Sequence, residues 1–198
     1  GFAEEDINIL PFTSPNGEDI ASIIVRYSGD GSSGKDPILF VAHMDVVDAL
    51  KKDWVRDPFK LTEENGYFFG RGTADDKSGT TLLTSAFIRL KKEGYIPNRD
   101  LIIAFTGDEE TEMLTIEDMV NNHRELIDAE FAINADSGGG SLDSKYNPIS
   151  YQVQAAEKTY ADFIISTTNP GGHSSRPRKT NAIYDLAEAL KEIEAYTF

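Results

Sequence analysis

Cysteine is absent from the 198 residues. Its absence excludes disulfides and thiolate ligands, so any metal has to be held by imidazole and carboxylate. Long apolar runs are missing too. None approaches the length needed to span a bilayer, and the start shows no signal-peptide pattern. The chain opens at Gly1-Phe2-Ala3 without Met, so a leader could have been removed. A soluble protein is expected, cytoplasmic or exported, with the compartment left open. Positive charge is scarce: 19 Lys and Arg stand against 34 Asp and Glu, a net charge of -15. That balance disfavours nucleic-acid phosphate and anionic membranes as partners. There is no P-loop, no Gly-x-Ser-x-Gly elbow, no His-Glu-x-x-His helix, and no repeat or low-complexity tract. What remains is an ordinary globular composition, 39% hydrophobic and 10% aromatic, enough for one α/β domain or one domain and part of another.

Three apolar runs each end in metal-ligand chemistry. Residues 37–42 run into His43-Met44-Asp45, residues 101–105 run through Thr106-Gly107 into Asp108-Glu109-Glu110, and residues 131–135 run into Asp136. Short apolar runs of this kind read as buried parallel strands, and sites in open α/β sheets lie beyond the carboxyl ends of such strands. Between the first two runs lies Gly70-Arg71-Gly72-Thr73-Ala74-Asp75-Asp76-Lys77, a loop with two further carboxylates.

The rest of the chain fits an α/β alternation. Residues 20–27 read as an early strand and 29–36 as an exposed turn. A helix is expected after Lys77, with Leu82, Leu83, Ala86, Phe87 and Leu90 at helical spacing and Gly94 at its end. Residues 116–126 read as a more polar helix. This alternation predicts a mainly parallel sheet. Beyond it, residues 149–155 and 160–167 read as strands and 181–196 as an amphipathic helix. The tail after about Thr159 therefore reads as the start of a second domain, following a first over residues 1–158.

The chemistry of each motif has a plain alternative. His43 and Asp45, two apart in an extended segment, point to the same side, so Asp45 can support a metal-binding ring. A polar turn is the competing account. Asp75 could bridge two cations, whereas Asp76 reads as a helix N-cap. Adjacent carboxylates repel unless a cation or solvent compensates. In Asp108-Glu109-Glu110, one Glu could therefore ligate while its neighbour takes a proton. A solvated acidic loop would explain that motif alone, but not the repetition of acidic or His clusters at successive strand ends. His123 reads as exposed, and His173 as part of a loop able to contact substrate. A magnesium-dependent phosphohydrolase is disfavoured by His43 and by the lack of an Asp-x-Asp nucleophile. A non-catalytic binding module is disfavoured by the intact Glu109-Glu110 pair.

His43-Met44-Asp45-Val46-Val47, Gly70 to Lys77, Gly107-Asp108-Glu109-Glu110-Thr111 and Asn134-Ala135-Asp136 resemble, in order and spacing, the motifs of the co-catalytic zinc peptidases. That family includes glutamate carboxypeptidase, carnosinase-type dipeptidases, aminoacylase, acetylornithine deacetylase and succinyl-diaminopimelate desuccinylase. The resemblance covers roughly residues 20–196. It implies a zinc-exopeptidase-like α/β domain over 1–158, followed over 159–198 by the beginning of an inserted α+β lid or dimerisation domain. It implies two Zn2+ ions, replaceable by Co2+ or Mn2+, with His43 and Asp136 on the first, Glu110 on the second and Asp75 bridging both. Glu109 would be the general base, Asp45 would orient His43, and His173 would reach the substrate carbonyl, often across a homodimer. The implied substrate is a peptide, cleaved in carboxypeptidase or dipeptidase fashion, with an N-acyl amino acid as the alternative. The second metal's histidine is expected beyond residue 198, which suggests a piece of the enzyme, inactive by itself.

Overall fold

The computed structural model describes residues 1–197. The chain divides into two compact units, Gly1–Gln154 and Ala155–Phe198. In the first unit, β1 (Ile7–Thr13) and β2 (Asp19–Tyr27) form an antiparallel hairpin. β3 (Ile38–His43) follows, then a short hairpin of β4 (Thr62–Glu64) and β5 (Tyr67–Phe69). Helix α1 (Lys77–Lys92) leads to β6 (Leu101–Thr106). α2 (Leu114–Asn122) and α3 (Arg124–Ile127) then lead to β7 (Phe131–Asn134). A separate antiparallel pair, β8 (Gly139–Leu142) and β9 (Pro148–Gln152), closes the unit.

The main sheet has the order β1-β2-β6-β3-β7. It is mixed: β6, β3 and β7 run parallel, while β1 and β2 join antiparallel on one side. The expected parallel alternation is thus the part that carries the site. β1 had no counterpart in the sequence reading. It is an edge strand, where Pro11 removes no ladder bond that the sheet needs.

Strand alternation sends β6 side chains to both faces, and both are buried. Ile102 and Ala104 join Ile24, Leu39, Met119 and Ile127 on the α2–α3 side. Ile103 and Phe105 join Tyr27, Ala42 and Phe87 on the α1 side. Phe87 is the anchor of α1, with its ring 6.0 Å from Tyr27 and 5.9 Å from Phe40. Burying a side chain of this size contributes about 1.5–3 kcal/mol.

Several local expectations change in three dimensions. α1 packs through Leu83, Phe87 and Leu90, while Leu82 and Ala86 are exposed. The apolar stripe is therefore narrower than the spacing suggested. The helix expected over 116–126 begins earlier and breaks at His123 into α2 and α3. Asp76 is the N-cap of α1, its carboxylate accepting from Gly79 N, and Gly94 follows the helix end with φ of 72°.

In the second unit, α4 (Ala182–Glu194) is capped by Asn181, whose side chain accepts from Ile183 N at 2.9 Å. The strand expected at 160–167 is absent. Among the described residues no segment pairs with it, and alternation without a partner leaves backbone groups to water rather than to a ladder. No helix of the described residues is long and apolar enough to cross a membrane.

Candidate metal centre

Parallel pairing puts the carboxyl ends of β6, β3 and β7 at one sheet edge. His43, the last residue of β3, pairs with Thr106, the last of β6, and Val41 pairs with Asn134, the last of β7. The ladder continues a step further on each side, through Met44 N to Thr106 O at 2.8 Å and Ala135 N to Val41 O at 2.9 Å. Consequently the residues that follow each strand (Asp45, Asp108 to Glu110, and Asp136) meet at that edge. The loop at residues 70–76 brings in Asp75 and Asp76, joined by a cis peptide bond.

His43 lies at the centre, with its side chain 2% exposed. Its Nε2 is 2.8 Å from Asp75 Oδ1 and 3.8 Å from Asp136 Oδ1. Its Nδ1 is 3.1 Å from the Asp45 carbonyl and 3.3 Å from Asp45 Oδ1. Both ring nitrogens thus face oxygen acceptors, which only the imidazolium satisfies in full. Burial favours the neutral ring, but the Asp75 hydrogen bond and the charges of Asp45, Asp136 and Glu109 outweigh it and raise the His43 pKa above its ordinary value. Burial also raises the Glu109 carboxyl. His43 opposes that shift, and the negative charges of Asp136, Glu110 and Asp45 reinforce it.

Among the described residues, two groups have donor atoms within 4.8 Å of one another: His43 with Glu109 and Asp136, and His43 with Asp75 and Glu110. One imidazole and four carboxylates, with no thiolate, form a donor set that fits a divalent cation with nitrogen and oxygen ligands. The raised Glu109 pKa comes first from burial, with the neighbouring carboxylates adding to it against the opposing charge of His43. A cavity of about 140 Å³ lined by His43, Thr106, Asp108, Glu109 and Asp136 adjoins the cluster.

Asp45 faces the His43 ring, as its spacing suggested. Its carboxylate also has a second engagement that the sequence did not reveal. Oδ1 accepts from Glu109 N at 3.1 Å and Oδ2 from Glu110 N at 2.9 Å. One carboxylate therefore braces the His43 segment against the turn that carries both glutamates.

Asp108 and Asp76 are two further braces. Buried Asp108 accepts from Leu114 N at 2.7 Å, from Thr115 N at 3.0 Å and from the Thr115 hydroxyl. It thereby caps the start of α2 and fixes the turn from one side. Buried Asp76 accepts from His43 N at 3.3 Å and from Gly79 N at 3.1 Å, tying α1 to the end of β3. Burial raises its pKa. Lys77 Nζ donates to Met44 O at 2.6 Å. Acidic residues six or seven before a helical Thr are a weak signal for a brace of the Asp108 kind.

His123 and His173 belong to neither donor group. His123 joins α2 to α3 and lies 3.5 Å from Asp118. His173 is exposed in the second unit, its Nδ1 2.8 Å from Ser175 Oγ.

Residues 39–194 match the profile of Peptidase family M20/M25/M40. The chain belongs to this family, whose members are metallopeptidases and amidohydrolases and which implies a divalent metal. It is 33% identical over 162 residues to human N-fatty-acyl-amino acid synthase/hydrolase PM20D1, covering 80% of this chain and 32% of that protein. It is 34% identical over 182 residues to probable carboxypeptidase S-like 2 of Dictyostelium discoideum, covering 87% and 34% respectively. The chain thus spans about a third of the length of these curated relatives. Among solved structures, the di-peptidase Dug1p of Saccharomyces cerevisiae aligns with a TM-score of 0.56 at 24% identity, over 70% of this chain and 31% of that one. The metallo-carboxypeptidase Sso-CP2 of Sulfolobus solfataricus aligns with 0.56 at 23%, over 71% and 30%. Both alignments show the shared fold.

Proposed function

We propose that the protein is a dinuclear metal-dependent hydrolase of amide bonds, acting on peptides in carboxypeptidase or dipeptidase fashion, with Glu109 as general base. The observation that carries this reading is the convergence of His43, Asp75, Glu109, Glu110 and Asp136 into two overlapping donor groups. In this reading His43 and Asp136 would serve one Zn2+, Glu110 the other, and Asp75 both, although the residue the two donor groups share is His43. Divalent cations held there supply Lewis-acid polarisation of the scissile carbonyl and acidify water.

The chain's own residues do the rest. Asp45 keeps the His43 ring and the backbone of Glu109 and Glu110 in register. Glu109 lies beside the cluster, and its pKa, raised first by burial, brings it closer to the range in which a carboxylate both accepts and returns a proton. It takes a proton from the attacking water and passes it to the leaving amine. Residues 1–158 form the catalytic part of this scheme. Residues 159–198 begin a lid through which two copies pair, with His173 assigned to the developing oxyanion.

A second reading has its own support. An N-acyl amino acid presents the same amide, and a wide apolar cavity lies against the Gly70 to Lys77 loop. The name of the human relative, an N-fatty-acyl-amino acid hydrolase, agrees with this substrate class.

The test uses the complete gene product loaded with Zn2+, Co2+ or Mn2+ and assayed on dipeptides and N-acyl amino acids. Two metal equivalents and amide hydrolysis are expected, with Glu109→Gln lowering turnover by ~2–4 orders of magnitude at unchanged metal content. Loss of metal in that variant would make Glu109 a ligand, and full activity would remove it from the mechanism.

A further inference from the structure

Met113 holds a backbone conformation that its side chain disfavours. It joins the turn at residues 108–112 to α2 with φ of 57° and ψ of 25°. In this left-handed region Cβ crowds the following carbonyl, and glycine or asparagine is the usual occupant. The conformation is imposed by the turn. Met113 N donates to Asp108 O at 3.0 Å, and the Asp108 carboxylate accepts from Leu114 N and Thr115 N at 2.7 and 3.0 Å. Asn65, with φ of 53°, is explained by the tight Asn65-Gly66 turn of the β4–β5 hairpin. The turn at Met113 requires neither a long nor an apolar side chain, so the reason for methionine lies in what that side chain touches.

It touches the cavity of about 140 Å³ beside the donor cluster. Met113 and Ile116, with Val41 and Ala42 of β3, supply the apolar lining of this cavity, and His43, Glu109 and Asp136 border it too. Val41 and Ile116 also pack on the core, and Ala42 is buried within it. Those three are therefore fixed. Met113 belongs to neither core cluster of the described residues and stays 46% exposed. An unbranched thioether with three rotatable bonds makes an adjustable wall at such a place.

We infer that Met113 is a specificity-determining residue, closing a subsite for one compact apolar side chain, up to phenylalanine in size, on a residue flanking the scissile amide. An apolar cavity of ~150 Å³ takes up one benzene molecule, so this one holds a side chain of about four to six carbons. Glycine at that substrate position leaves the cavity to water, and an indole exceeds it. Because Glu109 borders the same cavity, a side chain seated there brings its own amide to the base. The reaction rests on the amide-hydrolase reading above, whereas the seating of the side chain stands on the cavity and on the backbone of Met113.

Two measurements on the complete gene product separate these claims. The first is hydrolysis by the Zn2+-loaded protein of three amide series, X-Gly, Gly-X and N-acetyl-X, with X running through Gly, Ala, Val, Leu, Phe and Trp. In at least one series kcat/KM is expected to rise about fourfold for each methylene buried, as far as Leu or Phe, and to fall for Trp. Met113→Gly and Met113→Asn suit the left-handed backbone and are expected to hold or raise the melting temperature. Both should cut the Leu-to-Ala ratio of kcat/KM at least about fivefold and improve the Trp substrate. A methionine that served the fold alone would lose stability on substitution and leave these ratios unmoved. The second measurement titrates the metal-free protein with leucinamide and follows the 13C-methyl signal of Met113, assigned by its loss in Met113→Gly. A saturable shift is expected, weaker with glycinamide.

A saturable leucinamide shift without hydrolysis of any amide supports the subsite while overturning the amide-hydrolase reading. Hydrolysis that is flat across all three series, or whose ratios survive Met113→Gly and Met113→Asn, leaves that reading intact and overturns the subsite. A Met113 signal that leucinamide does not move overturns the subsite as well.

Discussion

Asp45→Asn isolates the brace at the heart of the cluster. In the native site the Asp45 carboxylate accepts from Glu109 N at 3.1 Å and from Glu110 N at 2.9 Å, and Oδ1 lies 3.3 Å from His43 Nδ1. An amide at this position keeps one oxygen but turns an NH2 group toward the second backbone N–H. The variant therefore loses one charge-assisted hydrogen bond and leaves a part-buried donor facing a donor. Each effect is worth about 1–3 kcal/mol, so the turn should be loosened by roughly 2–6 kcal/mol. Metal affinity should fall about 10–100-fold through the loss of the carboxylate beside His43. The assay is amide hydrogen exchange at Glu109 and Glu110, with metal affinity measured in parallel. A 2 kcal/mol loss appears as roughly thirtyfold faster exchange of the unpartnered amide. If Asp45 acted on the ring alone, metal affinity would drop while both amides kept their protection, and the brace argument would be refuted. Native exchange together with native metal affinity would remove Asp45 from the site altogether.

Asp75→Ala should disrupt both metal positions and Glu110→Ala mainly one, because a bridging carboxylate serves two cations. Two tightly bound equivalents in Asp75→Ala, by elemental analysis, would show that Asp75 is not the bridge. Metal binding should be proton-coupled. With burial opposing and Asp75, Asp45, Asp136 and Glu109 prevailing, the His43 pKa lies above 6.5 in the metal-free protein, and a cation must displace that proton. Affinity should therefore rise with pH up to the raised pKa and fall below it. Calorimetry in buffers of different ionisation heat near neutral pH should detect the released proton, and its absence would contradict the shift. For the metal-free fold the sign is opposite: the stability contributed by protonated His43 is fully present below 6.5 and is lost as pH rises through the raised value. His173→Ala should lower turnover at unchanged metal content, and a parallel loss of metal would make His173 a ligand.

The residues of the cluster were legible in the sequence because each is announced locally. A short apolar run predicts a buried strand, and a ligand-type side chain just past its end lies at the sheet edge whatever the order of the strands. That logic identified His43, Asp45, Glu109, Glu110 and Asp136, and the capping chemistry identified Asp76. Only the tertiary structure decided how they interlock. The order β1-β2-β6-β3-β7 depends on pairings between distant segments, and the edge strand β1 has no local signature strong enough to announce it. The bonds from Asp45 to the amides of Glu109 and Glu110 span 64 and 65 residues, and no periodicity records where a distant carboxylate finds a backbone donor. Helical spacing counted Leu82 with the core, yet the sheet accepts only the Leu83, Phe87 and Leu90 stripe. At residues 160–167 an alternating pattern was present but no strand pairs with it among the described residues. Side-chain chemistry and local period are written in the chain, whereas partners for backbone groups and the face that a core leaves open exist only once distant segments meet.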